Sequence, residues 1–283
     1  MRTIRNISLF SLAIVSGLVM MSCGSALNKN LDDARFALDK SDYASAITSA
    51  TAATVASPTD LDAFNLLSSA YSGQSGINLL TLAQVLTNSS SSTTIFSDMH
   101  AELATELTHT TTDYSSGFTS LSSAISTLSG YTGTISSNSS VVQNEYYFQL
   151  GLLMYIQAIA LPTITAQPGT TAGGVAITQS NITAAQTLTV QNDFISGYAA
   201  LANPATGILT SNALLTGMSQ NYCVLKNATV ATGTAASGIS QTVLQDLTVC
   251  QLNTSYAGPF ASGIANCAAF DFSVCDGTTA PAL

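Results

Sequence analysis

Residues 141–161 are the most apolar internal stretch of the chain, and they constrain everything around them. A helix of that length with apolar side chains on every face must be covered on every side. Glu145, Gln149 and Gln157 interrupt the run, so it reads as a helix buried in a bundle and not as a membrane span. The remaining periodic segments are the material available to cover it.

Those segments read as helices in pairs. Helical signals start near Leu31, and Asp42 is placed to cap a helix through Tyr43, Ala46, Ile47, Ala50 and Ala53 that Pro58 stops. Thr59 and Asp60 are placed to cap the next, with Phe64, Leu67, Ala70 and Tyr71 on one face and Gly73 and Gly76 at its end. Further helices are expected over 77–86, 97–109, 114–128, 182–202, 208–222 and 239–252. Serine- and threonine-rich stretches over 88–94 and 130–140 read as loops, and 162–181 as a Gly/Thr/Pro-rich connection. Nothing requires a sheet, although the region around Val175 to Thr178 has the composition of a short hairpin. The expected class is all-α: antiparallel helical hairpins stacked as a solenoid or bundle, with an irregular disulfide-bonded C-terminal segment.

The N-terminus has a different grammar. Arg2 and Arg5 precede an apolar run from Ile7 to Met21, and Met20-Met21-Ser22-Cys23 closes it. A basic head, a short apolar core and small residues at the break make an export signal. The closing residues resemble a bacterial lipobox, which implies acylation of Cys23 and cleavage just before it. Gly24, rather than aspartate, follows that cysteine, which by resemblance to proteobacterial lipoproteins implies the outer membrane. The segments are then a signal over 1–22, a tether over 23–30, a helical body over 31–220 and a disulfide-stabilised segment over 221–283.

Cleavage removes Arg2 and Arg5, which takes the formal net charge from −9 to −11. A chain so short of cations does not neutralise a phosphate backbone, so nucleic acid is excluded as a partner. It also lacks a polybasic patch for anionic lipid, leaving the acyl chains as the membrane attachment. Charged residues are only 7% of the chain, so Ser, Thr, Asn and Gln supply most of the wet surface. Cys223, Cys250, Cys267 and Cys275 cluster near the C-terminus, an even number in an exported chain with no metal-ligand spacing, and read as two disulfides. Three connectivities are possible. Cys223–Cys250 with Cys267–Cys275 is preferred here, because the second pair closes a short local loop.

Ser41-Asp42-Tyr43, Ala46-Ile47, Ala50, Ala53 and Pro58, followed by Phe64-x-x-Leu67-Ser68-x-x-Tyr71, resemble the tetratricopeptide repeat. Small residues at Ala46 and Ala53 let one helix seat against large neighbours, and the proline ends the unit. Tyr147-x-x-Leu150-Gly151 resembles another first helix, while Leu80 stands where the family prefers alanine. The resemblance covers residues 31–76, and beyond it the polar loops break the period. At least three units are needed to bury a continuous core, so the remaining helices are expected to complete the stack in degenerate form. Such repeats are interaction modules. The resemblance implies binding of an envelope protein or peptide in a groove, with Phe64, Tyr71, Tyr147 and Tyr155 as groove residues. Repeat lipoproteins of pilus and outer-membrane assembly are similar in plan. So is the lipoprotein T-component of TRAP-type transporters, which implies the alternative of a small-molecule or lipid-binding component.

Catalytic signatures are missing. Asp98, Glu102, Glu106, His109 and Asp113 recur at four, four, three and four residues, which on one helix makes a single stripe. Glu106-x-x-His109 matches the ligand pair of di-iron bundles, but Glu145 is the one glutamate outside the stripe and His100 lies off it, so a solvent-facing polar stripe is expected. Gly73-Gln74-Ser75-Gly76 is not a nucleophile elbow, and Gly169-x-x-x-Gly173-Gly174 lacks the lysine of a phosphate loop. Neither an enzymatic activity nor a cofactor or metal is expected.

Overall fold

The computed structural model describes residues 26–76, 114–171, 174–203, 213–231 and 238–255, with Cys267, Phe270, Ser273, Cys275 and Pro281 in the tail. Helix α1 covers 26–39, α2 Tyr43–Ala56, α3 Leu61–Gln74 and α4 Tyr114–Ser129. A short turn of 3-10 helix at Ile135–Ser137 leads to α5, Ser140–Ile164. The hairpin β1 (Ala166–Thr171) and β2 (Gly174–Ser180) follows, then α6 (Ala184–Leu201), α7 (Ala213–Ala231) and α8 (Gln241–Ser255). The fold is all-α, with this one hairpin among the described residues. The helices and loop expected over 77–109, the stripe from Asp98 to Asp113 and Cys23 lie outside the described residues.

The caps read from sequence do their work. Asp42 accepts from the Ser45 N–H at 3.2 Å and Asp60 from the Ala63 N–H at 3.1 Å. Thr183 and Gln186 form a reciprocal capping box that starts α6. Between α1 and α2 the chain turns through Ser41, the one non-glycine residue with positive φ (57°) among those described. Many helical hydroxyls fold back onto their own backbone. Thr48 donates to the Ala44 carbonyl at 2.9 Å, Thr127 to Ser123 at 2.8 Å and Thr189 to Ala185 at 3.2 Å.

The first three helices meet in layers of small side chains. Leu31, Ala53 and Ala63 form one cluster, Ala34, Ala50 and Leu67 the next, and Ala37, Ala46 and Ala70 the third. Numbers rise along α1 and α3 and fall along α2, so the three helices run up, down and up. Helix α4 continues the alternation. Its C-terminal side meets the start of α3, where the Tyr131 hydroxyl donates to the Thr59 carbonyl at 3.0 Å, and its middle reaches Ser68, which donates to the Ala124 carbonyl at 3.1 Å. Helix α5 runs parallel to α3. Asn65 donates to the Val142 carbonyl at 3.4 Å, and Gln149 to Ser69 Oγ at 2.9 Å. The helical hairpins therefore persist in space where the sequence period is interrupted.

Every residue of α5 from Leu150 to Thr163 is buried. It is the one described helix long and apolar enough to cross a membrane, and 78% of an apolar 18-residue stretch of it is buried within the protein. Tyr155 meets Phe194 of α6 with ring centroids 6.1 Å apart, and Phe194 meets Tyr222 of α7 at 6.3 Å. Gln157 is satisfied by donating to Ser122 Oγ at 2.7 Å. Helices α5 and α6 touch backbone to backbone: a Cβ on Gly151 would lie 2.8 Å from the Gly197 carbonyl oxygen and 2.4 Å from Leu201 Cγ. Pro162 costs α5 one hydrogen bond only a few residues before its end, and Thr165 Oγ1 donates to the Pro162 carbonyl at 2.9 Å.

The connection over 162–181 is this helix end plus the hairpin, antiparallel with an irregular register between Gln167 and Pro168. Helix α8 packs along β2, and Ala166 joins Val249 and Leu252 in a small cluster. Two sequence expectations are corrected. The boundary at 220/221 falls inside α7, whose Leu215, Met218, Tyr222 and Leu225 all belong to one core with α5, so the body does not end there. The disulfides are Cys223–Cys275 and Cys250–Cys267, with Cα atoms 5.9 and 5.6 Å apart. Pairing Cys267 with Cys275 would close the tail on itself. Instead α7 and α8 each take one tail cysteine, which staples the tail to two helices.

The Gly151–Gly197 crossing leaves no room for a methyl group. Gly151→Ala is expected to lower the unfolding free energy by about 1–3 kcal/mol, read from denaturant unfolding followed by circular dichroism.

Candidate functional site

Alternation of helix direction brings α1, α3 and α5 side by side with the same polarity, and their shared side is where charge gathers. Arg35 on α1 donates to Asp32 on its own helix at 3.3 Å and to Asp62 on α3 at 2.5 Å. Lys29 pairs with Asp33 one turn earlier. These pairs are largely exposed and each contributes about 0–1 kcal/mol, so they order the face more than they stabilise it. Glu145 on α5 completes the group. Partial burial raises its carboxyl above the usual range, Asp62 raises it further and Arg35 offsets part of the rise. Val141, Glu145 and Phe148, spaced i, i+4 and i+7, form an exposed stripe along the first two turns of α5, with Val141 73% and Phe148 36% exposed. The stripe runs beside the mixed-charge group formed by Arg35, Asp32 and Asp62.

The aromatic residues singled out from sequence are placed differently. Phe64 is half-buried, its ring edge-on to Tyr131 at 5.2 Å. Tyr71 is half-buried between the main core and the α1–α2–α3 layers. Tyr147 is half-buried and meets Tyr146 edge-on at 5.1 Å. Tyr155 is fully buried: Asn221 Nδ2 donates to its hydroxyl at 3.3 Å, and burial pushes that hydroxyl's pKa well above the ordinary range. It is a core residue and not a groove residue, because it lies on the part of α5 that is covered all round. Phe64 and Tyr147 belong to one aromatic chain through Tyr131 and Tyr146, while Tyr71 and Tyr155 stand apart from it.

No family model matches the chain, and neither a curated protein nor a solved structure matches it. The site is therefore read from its own chemistry. Among the described residues no three His, Cys, Asp or Glu side chains gather as a metal site.

Sequence reasoning missed the face itself. Arg35 and Asp62 are 27 residues apart and carry no motif. It also missed Asp193, on α6, which is 6% exposed with Oδ2 lacking a hydrogen-bond partner. Burial pushes its pKa up to about 8. In the unfolded chain the same carboxyl titrates near 3.8. The folded state therefore holds the extra proton between those values, so the contribution of Asp193 to stability is full below about pH 4 and is lost as pH rises towards 8. Asp193→Asn is expected to flatten that decline and to stabilise the protein at pH 8, on the order of a few kcal/mol. Denaturant unfolding at pH 4, 6 and 8 checks it, and an unchanged slope in the variant contradicts the assignment.

Proposed function

We propose that this chain is a bacterial lipoprotein, acylated at Cys23 in the outer membrane, whose stacked helical hairpins act without catalysis as a scaffold for a protein partner of the envelope. The observation that carries the reading is the arrangement of α1, α2 and α3. Ala34, Ala46 and Ala53 are all fully buried at the crossings, which is the close helix approach that tetratricopeptide-like units require. The parallel α1, α3 and α5 then offer a continuous side for a partner segment, with Arg35, Asp62, Glu145 and Phe148 outward. A tether and such a surface together raise a partner's effective concentration at the membrane with no chemical step.

A lipid or small-molecule carrier would use the apolar wall of α5. That wall is filled by the protein's own side chains, among them Leu201, Phe194 and Met218, which supports the scaffold over the carrier.

The test is in-cell cross-linking of the intact chain, followed by capture and mass spectrometry. One or a few envelope proteins are expected, with enrichment falling about tenfold in the double variant Glu145→Lys, Phe148→Ala. Both side chains are exposed, so this variant is expected to keep the native helical signal. Phe64→Ala or Tyr71→Ala would instead disturb packing. Absence of a specific partner, or enrichment untouched by the double variant, removes this face as the binding surface.

A further inference from the structure

We propose that one end of the helical stack, carrying Val55, Pro58, Tyr131 and Val141, lies against the membrane that anchors the protein. This deepens the lipoprotein reading and rests on it.

The first argument is reach. Helix α1 is in place by residue 26, so only Gly24 and Ser25 separate it from Cys23. Extended chain spans about 3.5 Å per residue, so the start of α1 is held within roughly 10 Å of the acylated cysteine. The expected tether over 23–30 shrinks accordingly, since 26–30 are helical. A body held that closely meets the headgroups with whichever end surrounds the start of α1.

The second argument identifies that end. The layer of Leu31, Ala53 and Ala63 sets the beginning of α1 beside the end of α2 and the beginning of α3. Tyr131 reaches the Thr59 carbonyl, and Asn65 reaches the Val142 carbonyl, which adds the α4–α5 connection. The anchor and these four chain segments therefore share one end.

The third argument is chemistry. Residues 43–59 and 114–144 contain no Asp, Glu, Lys or Arg, so two sides of this end carry no charge to desolvate. Val55 and Val141, 75% and 73% exposed, are the most exposed of the large hydrophobic residues described, and both lie here. Pro58 is exposed beside them. The nearby charges are already engaged: Asp60 caps α3, Lys29 pairs with Asp33, and Arg35 with Asp62. At the other end of α1 the exposed Phe36 is instead covered by Lys40, whose Nζ lies 4.0 Å from the ring centroid. An end whose α2 and α4–α5 sides carry no charge and expose Val55 and Val141, within reach of the acyl chains, fits a lipid–water interface.

The experiment uses the full chain expressed with its signal, with acylation of Cys23 verified by the mass of the N-terminal peptide. Single cysteines at Val55→Cys, Val141→Cys, Ala44→Cys and Gln74→Cys are labelled with a fluorophore while the native disulfides stay intact. Each protein is placed in vesicles of about three parts phosphatidylethanolamine to one of phosphatidylglycerol, doped with spin-labelled lipid. Positions 44 and 74 lie towards the far end, with 44 about 17 Å from 55 along the helix, so quenching is expected to be about threefold stronger at 55 and 141. Quenching that is equal at both ends, or stronger at 44 and 74, overturns the placement and leaves the lipoprotein reading intact. An unmodified Cys23 overturns both.

Discussion

Burial of α5 on all sides is the constraint on which the rest of the structure depends. A helix whose residues from Leu150 to Thr163 are all covered needs neighbours at every angle, and α4, α6, α7 and α8 supply them. One of those neighbours sits at backbone contact. Gly151 and Gly197 let α5 and α6 approach until one helix's carbonyl faces the other's α-carbon, which brings Met154, Met218 and Leu201 into the same close-packed region. Two polar groups inside this core find an answering group. Gln157 finds Ser122, and Tyr155 finds Asn221. Asp193 is the ionisable group among the buried atoms left without a partner, and its carboxyl meets the cost of burial by holding a proton.

The N-terminal helices solve the same problem with small side chains. Alanine at five of the six α1 and α2 positions in the three layers gives close crossings with little area per contact. Such packing is regular because each alanine has one shape and no rotamer to choose, and the result is a stack that can be extended helix by helix. Large residues take over from α4 onward, where the core thickens. The described helices thus pass from thin layers of small side chains among α1, α2 and α3 to a thicker core around α5.

Much of this was legible in the chain. Asp42 and Asp60 announced their helices because capping is local and chemically specific. The run over 141–161 announced a buried helix because no other arrangement hides so much apolar surface. The repeat period was legible only as far as Gly76. Beyond it α3 and α4 are separated by residues 77–113, and α5 and α6 by a β-hairpin, so neighbours in space are no longer neighbours in sequence. The charged face was hidden for the same reason, since Arg35, Asp62 and Glu145 meet only through the register of three helices. Disulfide pairing failed because loop length favours the nearest cysteine, whereas the helices α7 and α8 hold Cys223 and Cys250 where only the tail reaches them.

The folded-back hydroxyls carry a consequence for how the surface meets water. A threonine such as Thr48 or Thr127 that donates to the carbonyl one turn behind it spends its hydroxyl hydrogen within the helix and does not offer it to water. Much of the exterior is then neutral, built of hydroxyls whose hydrogens are already engaged. Its few charges are mostly carboxylates, so a net negative charge is spread over a largely neutral surface. Two bodies of this kind attract each other through short-range contact and shape, at separations of a water layer or less, once salt has screened their common negative charge.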